Sequence, residues 1–167
     1  MRPKNSDIIS NFTYVSVNGD PGIYLSPLVT KPDNNQEERE LPIHEDERGR
    51  IVRANFKGGK FNIIETKKGF MRSGDLHKST QFDWLISGKA ELWTLSNNIT
   101  KVITIKPTTF IVIKPHVPHL FNFLEDSVMI EKWDKPFDAW FYKPYRELID
   151  RQCQKRVAEL DGGHCLE

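Results

Sequence analysis

The stretch that decides the fold reads GFMRSGDLHKSTQFDWLISGKAEL and occupies residues 69–92. If residues 75–83 are extended, their side chains alternate between the two faces of a strand. One of these faces carries only polar side chains, namely Asp75, His77, Ser79, Gln81 and Asp83. Such a face either meets water on an open sheet or lines the interior of a small barrel, where a few convergent polar groups would hold a ligand.

Short runs rich in β-branched and aromatic residues recur on both sides of this stretch, at a spacing of about ten residues. They lie at residues 12–17, 50–56, 60–66, 80–86, 89–95, 99–105, 110–113, 119–124 and 127–133. Turn-forming residues separate the runs and no helical pattern interrupts them, which favours an antiparallel sandwich or barrel over a parallel sheet. The sequence therefore predicts an all-β barrel over about residues 10–142, with a polar, exposed loop at residues 31–47.

The apolar pattern changes after Pro144. Residues at helical spacing follow it, and a Gly-Gly pair at 162–163 supplies a stop. We predict one amphipathic helix at about residues 144–161. A chain of 167 residues is close to the usual size of one domain, so residues 1–167 are predicted to form a single domain.

The charges are almost balanced, with 24 Lys and Arg against 23 Asp and Glu and a formal net charge of +1. This balance provides no field that would gather a nucleic acid or an anionic bilayer. No apolar run is long enough to span a membrane, and the first residues lack the apolar segment of a signal peptide. We therefore expect a cytoplasmic protein with neither nucleic acid nor membrane as a partner.

The polar stretch resembles the first sequence motif of the cupins, which runs Gly, five residues, His-x-His, three or four residues, Glu, six residues and Gly. In this chain Gly69 is followed by five residues and Asp75-Leu76-His77, then by three residues and Gln81, then by six residues and Gly88. The family's second motif is similar to IKPHVPH at residues 113–119, where His119 takes the place of the motif histidine. The resemblance implies a cupin jelly-roll barrel.

The chain also departs from the cupin motifs. Asp75 stands in place of the first histidine and Gln81 in place of the glutamate, while Thr108 and His116 replace two glycines. Only two of the family's four metal-binding positions are therefore kept, and the resemblance favours a site without a cofactor. The alternative is a divalent metal held by Asp75, His77, Gln81 and His119, because imidazole and carboxylate suit Fe, Mn or Zn.

Within the cupins, the chain is most similar to the nucleotide-sugar branch. The pattern GxxRGxHAHKxxxQ followed by VSG in the 3,4-ketoisomerases of dTDP-4-keto-6-deoxy sugars coincides with this sequence at Arg72, His77, Lys78 and Gln81. Residues 46–49, DERG, resemble the D-x-R-G turn of these enzymes and of the related 3,5-epimerases. The resemblance implies an isomerase or epimerase of a keto-sugar nucleotide that acts by proton transfer, and it implies a homodimer.

In that interpretation His77, Asp75 and His119 are the catalytic residues, and Arg72, Lys78, Gln81 and Asp83 bind the substrate. A neutral imidazole with an ordinary pKa of about 6.5 is a suitable base at pH 7, and a guanidinium can hold a diphosphate by paired hydrogen bonds. Two alternatives stay open: a non-catalytic cupin that binds a sugar or another small molecule, and a metal-dependent cupin such as a dioxygenase. The aromatic residues at 133–145 either stack on a ligand or pack against the barrel.

Overall fold

The computed structural model describes residues 13–32 and 42–162, and these form two β-sheets and one long helix. The strands are β1 (Thr13–Val17), β2 (Val29–Thr30), β3 (Ile43–Asp46), β4 (Gly49–Phe56), β5 (Gly59–Thr66), β6 (Met71–His77), β7 (Gln81–Ser87), β8 (Ala90–Ser96), β9 (Ile99–Ile105), β10 (Thr109–Ile113), β11 (His119–Phe123), β12 (Ser127–Trp133) and β13 (Ala139–Tyr142). The helix, α1, spans Lys143–Gly162, and a 3₁₀ turn occupies Pro21–Leu25.

The two sheets pack face to face as a sandwich. The first has seven strands in the order β1-β10-β7-β12-β5-β4-β3, and the second has six in the order β2-β13-β6-β11-β8-β9. Consecutive strands such as β6 and β7 lie in different sheets, so the chain crosses repeatedly from one layer to the other. The predicted all-β fold with one C-terminal helix is confirmed.

Three details of the sequence prediction are wrong. Residues 75–83 are not one extended segment, because β6 ends at His77 and a turn carries the chain to β7 in the opposite sheet. The predicted loop at residues 31–47 contains β3, which pairs with β4; residues 33–41 of that loop lie outside the described part. The sandwich is not wholly antiparallel, since β1 runs parallel to β10. Phe12, at the start of the first predicted strand, also lies outside the described residues.

A bulge in β6 decides which of its side chains enter the space between the sheets. Ser73 and Gly74 have φ values of 72° and 77°, and the pairing of β6 with β11 shifts register beside them. The extra residue reverses the alternation, so that Arg72 is buried on the same side of the strand as Asp75. Helix α1 covers the bulge from outside, where Arg146 Nη1 donates a hydrogen bond of 2.9 Å to the Ser73 carbonyl.

We call the space between the two sheets the lumen. Apolar side chains fill one half of it. Its centre is a cluster of fully buried residues contributed by both sheets, which includes Leu85, Leu92, Ile111, Phe121, Phe123 and Met129. A second cluster lies outside the lumen, between the second sheet and α1, and contains Leu76, Leu120 and Ile149. Burial on both faces fixes the register of the second sheet, because a slip of one residue would exchange the two sets of side chains.

The glycine positions of the motif are positions where the backbone has a positive φ. Gly69 and Gly88 have φ values of 82° and 84°. Thr108 and His116, which stand where the motif has glycine, adopt φ values of 69° and 67°. For a β-branched residue this conformation is strained by about 1–3 kcal/mol. The chain thus keeps the backbone that the motif requires even where the glycine is absent.

Helix α1 does not have the character of a membrane span. It is the longest helix of the described residues, and no helix among them is both long and apolar enough to cross a bilayer.

Candidate functional site

Polar side chains occupy the half of the lumen that the apolar cluster leaves. At the ends of their strands lie His77 on β6, His119 on β11 and Gln81 on β7. One step further inside, Asp75 pairs with His119 across β6 and β11, and Asp83 pairs with Glu131 across β7 and β12. All of them are buried except Asp75, which is half-buried. The site therefore has a histidine layer above a carboxylate layer.

Asp75, His77 and His119 form the centre of this arrangement, which we call the candidate centre. Asp75 Oδ1 lies 3.4 Å from His119 Nε2 and 3.7 Å from His77 Nε2. The three possible ligand atoms lie within 4.8 Å of one another. The sequence grouped these three residues as catalytic, and the structure brings them together; their catalytic role is still a prediction.

Backbone carbonyls fix the orientation of both imidazoles. His77 Nδ1 donates to the Asp138 carbonyl at 3.1 Å, and His119 Nδ1 donates to the Val117 carbonyl at 3.0 Å. A carbonyl oxygen can only accept, so each ring carries its proton on Nδ1 when it is neutral. Both Nε2 atoms then direct a lone pair towards Asp75.

Burial keeps His119 in that neutral form. Desolvation lowers the pKa of His119 to about 4, and the charge of His77 acts in the same direction, whereas Asp75 partly opposes the shift. His119 Nε2 and Asp75 Oδ1 are both buried without a hydrogen-bond partner within the described part of the chain. Such atoms are costly to bury unless a cation or a donor satisfies them.

The residues of the candidate centre fit a divalent metal ion. Two imidazole nitrogens and one carboxylate oxygen are a donor set suited to Fe, Mn or Zn. Both separations from Asp75 Oδ1 are shorter than two metal–ligand bonds of about 2.1 Å placed end to end. Each histidine also donates its Nδ1 proton to a carbonyl, which leaves Nε2 free for a metal, as in metal-binding histidines. The orphaned Asp75 and His119 atoms are what a cation would satisfy.

Gln81 makes its hydrogen bonds with protein groups in this arrangement. Its amide nitrogen donates to both carboxylate oxygens of Asp83, at 3.1 and 3.0 Å, and to Glu131 Oε1 at 3.2 Å. Its carbonyl oxygen accepts a hydrogen bond of 3.2 Å from Trp133 Nε1. The sequence named Gln81 as a substrate-binding residue and a possible ligand, and the structure instead places it as the bridge between two buried carboxylates.

Asp83 and Glu131 form a pair of buried carboxylates. The sequence analysis predicted Asp83 as a site residue but not Glu131. Burial, followed by the charge of Glu131, raises the pKa of Asp83 well above its usual value. Burial also raises the pKa of Glu131 to about 7, against the hydrogen bond from Asn62. The sequence does contain a signal for Glu131. In the strand SVMIEKW, residues 127–133, it falls on the same face as Met129, and a carboxylate on the apolar face of a strand indicates a buried, functional group.

Arg72 enters the lumen but is held by protein groups. Its Nε donates to Thr66 Oγ1 at 2.8 Å, and one terminal nitrogen lies 3.5 Å from Asp46. Burial and the nearby charge of Arg48 lower its pKa to about 10, so it stays charged at pH 7. Arg72 thus links the lumen to the turn at residues 46–49, whereas the sequence assigned it to a substrate diphosphate.

Lys78 lies away from the other predicted site residues. Its side chain is 55% exposed, and its ammonium lies 3.8 Å from Asp138 and 5.5 Å from the centre of the Trp140 ring. The residue follows the end of β6, where the turn to β7 places it outside the lumen. The structure therefore does not bring Lys78 to the candidate centre.

Two aromatic rings adjoin His77. Phe137 and Trp133 have ring centres 5.3 and 5.6 Å from the His77 ring, and they meet each other edge to face at 4.6 Å. Phe137 is 44% exposed. Within the aromatic segment, these two rings contact the site, whereas Tyr142 and Tyr145 pack beneath α1.

The comparisons with known proteins identify the fold and not a closer relationship. No protein-family model matches the sequence, and no curated protein matches it. The structure, in contrast, is similar to proteins with the cupin fold, and the jelly roll that the sequence motifs imply is confirmed.

Three solved structures illustrate this likeness. The oxalate decarboxylase of Lactobacillus farciminis in its formate complex is 19% identical, with a TM-score of 0.53 over 62% of this chain. The capsular polysaccharide assembling protein CapF of Staphylococcus aureus is 18% identical, with a TM-score of 0.52 over 65%. An oxalate decarboxylase of B. subtilis is 13% identical, with a TM-score of 0.55 over 70%. The chain spans about a third of the length of these proteins, at 34%, 34% and 32%.

Proposed function

We propose that the protein is a metal-dependent cupin enzyme that binds a divalent ion through Asp75, His77 and His119 and moves a proton beside the carbonyl of a small substrate. The observation that carries this proposal is the convergence of three lone pairs. Asp75 Oδ1 lies 3.4 and 3.7 Å from the two Nε2 atoms, and both Nδ1 protons are committed to carbonyls elsewhere. Three acceptors at this spacing repel one another unless a cation lies among them.

When bound, a divalent ion supplies Lewis-acid polarisation of a carbonyl oxygen, which makes an adjacent C–H bond more acidic. The chain's own residues supply the rest. His77 and His119 are held in one orientation by Asp138 and Val117, so no reorganisation of these rings accompanies binding. The apolar cluster closes the inner end of the lumen, which keeps water away from the reacting atoms.

A keto-sugar nucleotide is the substrate class that we propose. Support comes from the resemblance of residues 69–88 and 46–49 to the ketoisomerases. The aromatic rings of Trp133 and Phe137 beside His77 are of the kind that stack on a sugar or base. Among the structures with the same fold, CapF is named as a capsular polysaccharide assembling protein, and the oxalate decarboxylases are enzymes. The homodimer and the cytoplasmic location inferred from the sequence stay predictions.

A metal-free isomerase is the second candidate. One proton shared by His77 and Asp75 would also relieve the repulsion among the three acceptors, and the imidazole would then act as the acid and base. Asp75 Oδ1 lies 3.7 Å from His77 Nε2, which is beyond hydrogen-bond distance, so such sharing requires the two side chains to move closer together. The resemblance to the cupin motifs favours such a site without a cofactor, whereas the donor set of Asp75, His77 and His119 supports the metal.

Metal content separates the two candidates. We expect the full chain, purified without chelators, to contain about one divalent transition metal per chain by elemental mass spectrometry, because the described residues include one donor set of the right kind. After removal of the metal by a chelator, Mn²⁺ or Fe²⁺ should raise the melting temperature, since an ion that binds only the native state stabilises it.

The matched control is Asp126→Asn, which removes a carboxylate from a turn outside the lumen, and it should keep the metal. Asp75→Asn should lose it, because the shared oxygen no longer carries a charge. A wild-type protein that purifies without metal and shows no thermal shift with any divalent ion would reject the metal centre and leave the metal-free isomerase. If neither metal nor keto-sugar nucleotides shift the melting temperature, both candidates are wrong.

A further inference from the structure

We propose that two copies of this chain associate face to face through the outer face of the first sheet, the face that is turned away from the lumen. The resemblance to the cupins implies a homodimer without indicating which surface joins the copies. Here the surface follows from the strand register. None of its residues belongs to the candidate centre, so the association goes beyond the proposed function and is independent of the metal.

Each of the seven strands places one apolar or aromatic side chain on this face, and strand pairing puts these side chains in line. Tyr14 on β1 is opposite Phe110 on β10, which is opposite Trp84 on β7. The line continues at paired positions of β12, β5, β4 and β3. We call it the apolar row, and from one edge of the sheet to the other it contains Tyr14, Phe110, Trp84, Ile130, Ile63, Val52 and Ile43.

The apolar row faces outward because its neighbours in sequence face inward. Leu85, Met129 and Ile64 are each adjacent in sequence to a row residue, and they belong to the buried cluster in the lumen. Successive side chains of a strand point to opposite faces, so the row lies on the outer face. Helix α1 packs on the second sheet, and no helix of the described residues covers the row.

The outer face is more apolar than contact with water requires. The two end residues of the row, Tyr14 and Ile43, are 60% and 52% exposed, and the five between them are half-buried. Phe82 adds a ring to the same face, since it stacks on Phe110 at 6.2 Å, and Phe110 stacks on Tyr14 at 6.3 Å. A sheet face that meets water usually carries polar side chains. A contiguous apolar patch marks an interaction surface instead.

The area of the face is sufficient for a stable dimer. Seven strands about 4.8 Å apart give a width of about 29 Å, and three outward residues on one strand span about 14 Å. With the reach of the side chains included, roughly 600 Å² is buried on each copy and roughly 1,200 Å² in the pair. Specific interfaces between proteins bury about 1,200–2,000 Å² in total.

The charges beside the row favour a second copy over a partner of one charge sign. Arg50 and Glu65 lie on one side of the row and pair with each other at 2.8 Å. Val128 on β12 is opposite Glu65, and the exposed Lys132 lies four residues further along, beyond the row. A two-fold axis along the row places each row residue against its own copy and brings Lys132 of one chain towards Glu65 of the other.

Sedimentation velocity of the full chain measures the association. We expect a wild-type dimer with twice the mass of one chain. Ile130→Lys should raise its dissociation constant by more than about 100-fold, because a two-fold axis along the row sets two buried charges of one sign against each other. The same strand already carries Lys132 on this face, so the added lysine is compatible with the fold. Tyr14→Lys tests the same contact at an exposed position and should also weaken the dimer, which keeps the test valid if Ile130→Lys does not fold.

Val102→Lys is the matched control. Val102 is a β-branched residue like Ile130 and is 51% exposed, but it lies on β9 at the edge of the second sheet. The same substitution at this position should leave the dissociation constant within about 3-fold of wild type.

A wild-type protein that sediments as a monomer at every concentration tested would overturn the proposal. The same holds for a dimer that Ile130→Lys and Tyr14→Lys leave unchanged, and for one that Val102→Lys weakens as much as they do. A protein that contains no metal would reject the metal-dependent function and leave this result unaffected, because the apolar row lies outside the lumen.

Discussion

Replacing His119 by asparagine is expected to weaken Mn²⁺ binding to the full chain by more than about 100-fold, because even residues that only support a metal ligand contribute about 10- to 100-fold. His119 Nε2 is buried and has no partner within the described structure, and its ring is neutral at pH 7, so its lone pair is available without loss of a proton. Isothermal titration calorimetry of the metal-free protein with Mn²⁺ measures the change in affinity. The turnover rate should fall together with the affinity for Mn²⁺.

His116→Asn is the control for this substitution. His116 lies three residues earlier in the same turn, and it is not among the three residues whose ligand atoms converge. Its backbone φ of 67° suits asparagine. Mn²⁺ affinity should stay within about 3-fold of wild type, a difference that corresponds to less than 1 kcal/mol. Equal losses in both variants, with unchanged far-ultraviolet circular dichroism, would mean that the turn as a whole and not the His119 imidazole is responsible.

Replacing Gly88 by alanine is expected to lower the free energy of unfolding by about 3–5 kcal/mol. Two causes combine. The residue has a φ of 84°, and an added Cβ would overlap the Asp126 carbonyl and the Ser127 side chain and lie 2.8 Å from Ser127 Cα. The backbone at Asp126 and Ser127 cannot move away from an added Cβ without disrupting the pairing of the first residue of β12 with β5. Urea denaturation followed by tryptophan fluorescence measures the loss.

Gly58→Ala separates these two causes. Gly58 also has a positive φ, of 80°, but an added Cβ would meet nothing within 4 Å. This variant should therefore lose only the conformational part, about 1 kcal/mol. If the two variants lose the same free energy of unfolding, the close approach of the Asp126–Ser127 backbone to Gly88 does not contribute to the loss. The need for glycine at position 88 would then come from its backbone φ alone.

The spacing of the motif residues was sufficient to predict the fold because it marks where the backbone must turn. Gly69, Gly88, Thr108 and His116 all adopt a positive φ, and the distances between them set the lengths of the intervening strands. Strand alternation likewise predicted that His77, Asp75 and Asp83 share one polar face, and the resemblance to the cupin motifs implied that this face lines the interior. These are local properties, and a single sequence contains them.

The arrangement inside the lumen depends on pairings between distant strands, which alternation does not contain. Nothing local indicates that β6 and β7 belong to opposite sheets, so the sequence described one continuous polar face instead of two facing each other. The bulge at Ser73 and Gly74 likewise depends on β11 and α1. Glu131 was missed because its partner Asp83 is distant in sequence and adjacent only across the sheet. Lys78 was included because it coincides with the motif of the ketoisomerases, although its parity already pointed it away from His77.

Anomalous X-ray diffraction from crystals of the full chain grown with Mn²⁺ shows whether the metal lies at Asp75, His77 and His119. We expect one strong anomalous peak within coordination distance of Asp75 Oδ1, His77 Nε2 and His119 Nε2, and no such peak in crystals of His119→Asn. A peak at the Asp83 and Glu131 carboxylates instead, or no peak in the lumen of a protein that the same solution saturates, would contradict the assignment of Asp75, His77 and His119 as the metal ligands.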